Sequence, residues 1–329
     1  MKLQADPSRA LDNNLVFLKP DLAEVRIAVL LPCYNEGLSI RRVVESFRAV
    51  LPAADIYVYD NRSTDNTAVE AAAAGAIVRA EPWPGKGNVV RRMFADVNAD
   101  VYLMADGDGT YDASAAPEMV ARLIDGHLDM IVGTRRNIYE EAHRAGHAFG
   151  NRLFNTLYRS LFGRLFTDIF SGYRVFSRRY VKTFPAVSRG FEIETEMSVH
   201  ASQLRLPIVE MATAYGERQE GSASKLKTFQ DAAKILRMFL LLFKEVQPLM
   251  FYGAIASLLA LVSVALGIPL IQTFMETGLV PRFPTAILAT GLMLLAAVTL
   301  ACGLILDSVA RGRLEHKRTA YLAYHPPLG

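Results

Sequence analysis

The chain has 329 residues, 51% of them hydrophobic, a net charge of +3 and two cysteines. That length holds one large domain plus an appendage, and so small a charge gives no footing for nucleic-acid binding. Cys33 and Cys302 stand in unrelated contexts, so neither a disulfide nor a cysteine metal site is expected.

Residues 1–24 read as a lead-in, with Asp6 and Arg9 and no apolar run of signal-peptide length. Residues 25–31 are a buried-strand pattern ended by Pro32, and Cys33-Tyr34-Asn35-Glu36-Gly37 opens a helical stretch to about Val50. Strands are predicted at 55–59, followed by the polar run from Asp60 to Thr67, and at 76–80. A helix opens at Gly85-Lys86-Gly87-Asn88 and runs to about Asn98. Ala80 and Gly87 break a Walker pattern there, so Lys86 is either a solvated cap or a phosphate-facing cation at a helix N-terminus. Strands alternating with helices predict a mainly parallel sheet covered on both faces, with ligands at the strand ends that carry Tyr34, Asp60 and Asp106.

The apolar run 101–105 feeds Asp106-Gly107-Asp108-Gly109, two carboxylates separated by one glycine. Left unpaired, they would repel, and one would protonate. Mg2+ or Mn2+ removes the conflict and completes its shell with substrate phosphates and water, so a diphosphate is the expected ligand; an Asp-rich turn facing solvent is the alternative for the stretch alone. An EF-hand is excluded because Tyr111 and Pro117 stand where its glycine and glutamate belong, and a dinucleotide fingerprint because Asp112 replaces the last glycine.

Residues 130–134 read as a strand followed by Arg135-Arg136. Arg144 precedes an amphipathic segment, 147–161, that contains Asn151. Thr167-Asp168 and Ser171-Gly172 come next, then a carboxylate-rich helix, Phe191-Glu192-Ile193-Glu194-Thr195-Glu196, and a strand at 207–215. Residues 227–244 form an amphipathic helix suited to a membrane interface. Residues 246–275 and 283–306 carry no charge, and each exceeds the roughly 20 apolar residues needed to cross a bilayer. Arg237 and Lys244 flank one end of the pair, and Arg311, Arg313, Lys317 and Arg318 the other. The pair is therefore expected as a hairpin in the cell membrane, with the sheet and both termini cytoplasmic. The domain plan is a lead-in (1–24), a catalytic domain (25–226), an amphipathic helix (227–245), two transmembrane helices (246–310, spanning about 248–273 and 284–306) and a cytoplasmic tail (311–329).

Leu31-Pro32-Cys33-Tyr34-Asn35-Glu36, the Asp60–Thr67 run, Asp106-Gly107-Asp108, Thr167-Asp168 with Ser171-Gly172, and Arg218 with Gly221, Ser224 and Lys225 together resemble glycosyltransferase family 2. Within it they are most similar to the dolichyl-phosphate mannose synthase-like, polyprenyl-phosphate glycosyltransferases. The resemblance covers about Val25 to Lys225. It implies a GT-A fold, an α/β nucleotide-diphospho-sugar transferase domain, followed here by the interfacial helix and the transmembrane hairpin. It implies a nucleoside pocket of Pro32, Tyr34, Glu36, Val58 and Asp60. Asp106 and Gly107 then lie beside the ribose and diphosphate, and Asp108 binds the metal. Thr110 occupies a position where soluble members often carry a glutamine ligand. Arg135, Arg218 and Lys225 face phosphates, although the Arg218–Lys225 spacing is one residue longer than usual. Arg144, Asn151 and Ser171 join Arg135 at the acceptor phosphate. Asp168 orients groups there, acts as a base, or caps the backbone before Ser171-Gly172. The implied partners are a UDP- or GDP-linked sugar, a polyprenyl phosphate and the membrane, with a homo-oligomer left open. The competing expectations are a glycolipid or protein hydroxyl acceptor and a non-catalytic sugar-nucleotide-binding scaffold.

Overall fold

The computed structural model describes residues 25–135, 166–190, 192–216, 237 and 240–325. The first half alternates as the hydrophobic pattern requires: β1 Ile27–Cys33, α1 Ile40–Val50, β2 Asp55–Asp60, α2 Thr67–Ala73, β3 Ile77–Ala80, α3 Lys86–Asp96, β4 Val101–Met104, α4 Ala116–Asp125 and β5 Met130–Arg135. After residue 165 come β6 Arg174–Ser177, α5 Arg178–Thr183, α6 Ile193–Leu204 and β7 Ile208–Thr213. The long helices α7 Pro248–Thr277 and α8 Phe283–Leu322 follow.

Among the described residues the strands form one sheet in the order β3-β2-β1-β4-β6-β5-β7. Every pairing is parallel except those of β6, which lies antiparallel between β4 and β5. β6 has no counterpart in the sequence reading, because it is short and opens on Arg174, whose side chain is wholly buried. Central strands are buried on both faces, so successive residues feed opposite cores. Leu30, Tyr102 and Met104 join Val90, Met93 and Phe176 on one side. Val29, Leu31 and Leu103 join the other, where Ile40, Val43, Val44 and Phe47 form the apolar stripe of α1. The edge strand β3 exposes most of its side chains and carries Arg79, which suits a strand with one unpaired side.

α7 and α8 are 30 and 40 residues long, each with an apolar window of mean hydropathy above 2 and few buried positions. Both are candidate membrane spans by length and composition. They touch through small residues: Ala256 and Ser263 on α7, and Ala289, Ala296 and Gly303, at seven-residue intervals, on α8. The Ser263 hydroxyl donates to the Ala289 carbonyl at 2.7 Å. Residues 237 and 240–246 are helical, and the other residues of the expected interfacial helix lie outside the described residues.

Residues 311–322, read from the sequence as a tail, continue α8, and its last turns pack on the sheet domain. The Tyr321 hydroxyl donates to Asp129 Oδ2 at 2.7 Å, with the Arg179 guanidinium 4.4 Å over the Tyr321 ring. Lys317 Nζ donates to Gln203 at 3.2 Å.

Candidate active site at the carboxylate edge of the sheet

The parallel strands β1, β2, β4 and β5 end on one edge, and the residues that follow them carry the chemistry. Two loops there need backbone that side chains disfavour. Asn35 and Arg62 have φ of 52° and 64°. Each sits in a loop that the other holds. Asn35 Oδ1 accepts from Thr64 N at 2.8 Å, while Asn35 N donates to Ser63 Oγ at 2.9 Å. Asp60 closes β2. Its Oδ2 accepts from Ser63 N at 3.3 Å, and its Oδ1 is buried with no hydrogen-bond partner among the described residues. Tyr34 is 46% exposed beside it in the strand order. Glu36 is buried, and its amide donates to Thr67 Oγ1. Pro32 lies within β1, and Val58 is enclosed in the core beneath the edge.

β4 gives way to the Asp106 loop. A side chain at Gly107 would collide with Cys33 Sγ, and Gly109 has φ +76°. Both positions therefore require glycine. The Gly107 carbonyl accepts from Ser39 Oγ at 2.7 Å. Asp108 is buried, with its Oδ1 taking both the amide (3.1 Å) and the hydroxyl (2.6 Å) of Thr110. The Thr110 hydroxyl is therefore engaged in orienting a carboxylate. Tyr111 locks the loop from the far side. Its hydroxyl accepts from Gly172 N at 2.9 Å, its ring packs on Tyr173 and Tyr215, and Gly216 N donates to the Thr110 carbonyl at 2.8 Å. Burial, reinforced by the Asp106 charge, pushes the Tyr111 phenol up.

Lys86 opens α3 and is ion-paired with Asp106 and with Glu194 of α6. Burial disfavours its charge, but the two carboxylates overcome that and hold the ammonium above its ordinary range.

Arg135 ends β5. Its Nε and Nη2 each donate to Asp168 at 2.8 Å, a two-point contact that suits the planar guanidinium. The same guanidinium lies 5.5 Å from the centre of the Tyr215 ring. Burial works to raise the Asp168 carboxyl, but the hydrogen bonds and charge of Arg135 prevail and hold it below the usual carboxylate range. The Asp168 side chain thus turns to Arg135 rather than to the backbone before Ser171-Gly172. The Ser171 hydroxyl is buried and donates to the Gly133 carbonyl at 2.6 Å. Arg174, unassigned by the sequence, carries this loop. Its guanidinium donates to the carbonyls of Ile169 (2.9 Å) and Ser171 (2.8 Å). Arg144, Asn151, Arg218 and Lys225 lie outside the described residues.

Among the described residues no group of three or more His, Cys, Asp or Glu side chains is placed to hold a metal by itself. Asp106 and Asp108 are two hard oxygen ligands on a glycine loop at the strand edge. That donor set fits Mg2+ or Mn2+ with phosphate and water completing the shell.

The model of the family described as glycosyl transferase family 2 matches residues 28–184. Glycosyltransferase AglJ of Haloferax volcanii is 34% identical over 231 residues, 70% of this chain and 76% of that protein. The chain belongs to glycosyltransferase family 2. Protein RfbJ of Shigella flexneri is 57% identical over 123 residues, which cover 36% of this chain and 95% of RfbJ. The fold is similar to that of glucosyl-3-phosphoglycerate synthase from Mycobacterium tuberculosis, matched with a TM-score of 0.54 and 22% identity over 67% of this chain and 80% of that one. That structure holds Mn2+, UDP-glucose and phosphoglyceric acid. The family-2 chain is thus a GT-A-like nucleotide-sugar glycosyltransferase.

Proposed function

We propose that the chain transfers a hexose from a nucleoside-diphosphate sugar to a polyprenyl phosphate at a membrane, inverting the anomeric carbon and releasing the nucleoside diphosphate. The observation that carries this reading is the continuity of α8. One unbroken helix runs from an apolar window of membrane length to Tyr321, docked on Asp129 of the sheet domain. The sheet domain is thereby tied to the bilayer, where a lipid acceptor is confined; the docking contact lies at the start of β5, at Asp129, and the candidate site at its end, at Arg135. The charge pattern around the hairpin supports a cytoplasmic position for the sheet domain.

Tyr34 and Asp60 take the nucleobase, with Pro32 and Glu36 beside them and Val58 supporting the pocket from within the core. The buried, unpartnered Asp60 Oδ1 offers an acceptor to a base N–H. Asp106 and Asp108 hold Mg2+ or Mn2+, with Gly107 allowing the diphosphate to approach and Thr110 fixing Asp108. Bound there, the metal stabilises charge on the departing diphosphate. Lys86, Arg218 and Lys225 supply further cations to that charge. The mycobacterial enzyme, which holds UDP-glucose, Mn2+ and a phosphate-bearing ligand together, supports this class of donor and an anionic acceptor.

Arg135, held in place by Asp168, receives the lipid phosphate with Arg144, Asn151 and Ser171. A phosphate oxygen is already anionic at neutral pH and needs little help from a base. Asp168, committed to Arg135 and held below the usual range, is a weak one. The phosphate oxygen attacks the anomeric carbon opposite the diphosphate, the bond from that carbon to the leaving oxygen breaks, and the nucleoside diphosphate departs with the bonding electrons.

The test is a panel of UDP- and GDP-sugars with the full chain in detergent. The acceptors are undecaprenyl phosphate, dolichyl phosphate, phosphoglycerate and a glycolipid hydroxyl. Nucleoside diphosphate should be released only with a polyprenyl phosphate, and an α-linked donor should give a β-linked product by NMR. Release with phosphoglycerate or the hydroxyl alone, release of nucleoside monophosphate, or retained configuration would each sink the proposal.

A further inference from the structure

Three charged side chains from three elements meet beneath the Asp106 loop. Lys86 comes from the first turn of α3, Asp106 from the loop that leaves β4 and Glu194 from the first turn of α6. The ammonium contacts Asp106 Oδ1 and lies 2.5 Å from Glu194 Oε1. The Lys86 and Glu194 side chains are 9% and 5% exposed, while that of Asp106 is 29% exposed and faces the edge. Gly172 closes the cluster: a Cβ there would stand 3.0 Å from Asp106 Oδ2 and 3.1 Å from Lys86 Nζ. The other Glu194 oxygen, Oε2, is buried with no hydrogen-bond partner among the described residues.

Among the described residues, one cation faces two anions. A buried lysine needs only one carboxylate to be neutralised, and a second buried carboxylate with an unsatisfied oxygen is a net cost. The arrangement makes sense if one of the two carboxylates is called away. Asp106 is the one that can leave. It is the more exposed of the two and belongs to the loop read above as the metal–diphosphate site, and this inference rests on that reading. Were Asp106 the only partner of Lys86, its departure would strand a buried ammonium, and the metal would have to compete with a full ion pair.

We propose that Glu194 is a positioning residue that holds the Lys86 ammonium while Asp106 passes from Lys86 to the metal-bound diphosphate. Glu194 touches neither donor nor metal; it acts through Lys86. The unused Oε2 is the second acceptor that the ammonium gains as it shifts toward α6. The α6 carboxylates visible in the sequence thereby acquire separate duties. Glu196 binds the amides of Val187 and Ser188 at 2.9 and 2.7 Å, whereas Glu194 balances charge at the site.

The consequence is specific. In Glu194→Gln, Lys86 loses one of the two carboxylates that the described residues bring to it, and the metal–diphosphate pair must displace it from the other, Asp106. With Lys86 already removed, Glu194 has nothing to hold. The test measures binding of Mn2+ with uridine or guanosine diphosphate, whichever wild type takes up, to the full chain in detergent, reading free Mn2+ by electron paramagnetic resonance. Glu194→Gln should weaken binding about tenfold in the wild-type background and less than about twofold on top of Lys86→Met. Glu194→Asp, which keeps the charge one methylene back, should give a smaller loss of the same pattern and carries the comparison if Glu194→Gln does not fold. Unchanged affinity in the wild-type background, or equal losses in both, would overturn the role of Glu194 even if Asp108→Asn abolishes binding and so upholds the metal site. No Mn2+–nucleotide binding by wild type would bring down the reading of the site and this inference together.

Discussion

Asp168→Asn tests whether Asp168 is a base or the holder of Arg135. The two residues are joined by two charge-assisted hydrogen bonds of 2.8 Å, with side chains only 16% and 14% exposed. A hydrogen bond to a charged group contributes about 1.5–3 kcal/mol, and stranding one member of a buried pair costs about 3–5 kcal/mol. Some solvent reaches this pair, so Asp168→Asn should destabilise the sheet domain by about 3 kcal/mol, read by urea unfolding of the full chain in detergent. The pH dependence has a definite sign. The folded Asp168 carboxyl is lowered. Its stabilisation is therefore fully present above the unfolded value of roughly 4 and is lost as pH falls through the folded value below that. The stability gap between wild type and Asp168→Asn should be flat from about pH 5 upward and close in more acidic solution. In kinetics the substitution should raise KM for lipid phosphate about tenfold and leave the acidic limb of the kcat profile in place. A cycle of Asp168→Asn and Arg135→Ala on kcat/KM should show coupling of about 2 kcal/mol. Coupling below about 0.5 kcal/mol, or disappearance of the acidic limb, would refute the holding role and make Asp168 the base.

Asp108→Asn removes a charged ligand and should lower turnover at least about a hundredfold; EDTA should act likewise, with Mg2+ or Mn2+ restoring wild type, and full activity in chelator would overturn the metal assignment. Gly107→Ala drives a methyl group into Cys33 Sγ, so nucleoside-diphosphate affinity should fall about tenfold or more while the sheet still unfolds cooperatively; titration calorimetry decides it. Tyr321→Phe deletes the hydroxyl that donates to Asp129 but leaves the bonds from Ser177 and Arg179. It should cost about 1–2 kcal/mol and speed proteolysis between α8 and the sheet domain, and an unchanged cleavage rate would mean the docked turns contribute nothing.

Strands β1 to β5, helices α1 and α3, the Asp106-Gly107-Asp108 run and the two apolar helices were legible in the sequence, because each is written in a short window; α2 and α4 were not singled out. Burial on both faces makes β1 and β4 continuous apolar runs, and the glycines on either side of Asp108 mark a tight loop leaving the strand. Boundaries moved only at the ends: α1 starts at Ile40, after the turn made by Glu36 to Ser39. The insertion of β6 between β4 and β5 depended on long-range pairing, and a four-residue strand opening on a buried arginine has no local signature. Charge partners were likewise hidden. Lys86 reads alone as a cap or a phosphate ligand, and only the packing of α6 against α3 sets Glu194 on its ammonium. Arg135 and Asp168 stand out separately in the sequence, yet the pair exists because β5 ends where the loop before β6 begins. The end of α8 looked like a charged tail because Leu314 and Tyr321, one heptad apart, are too few to mark a buried face until Asp129 and Arg179 are brought beneath them. Hydrophobic periodicity is a property of neighbours along the chain, whereas ion pairs and docking contacts belong to neighbours in space, and in this protein the second kind decides which of the conspicuous charges face the site.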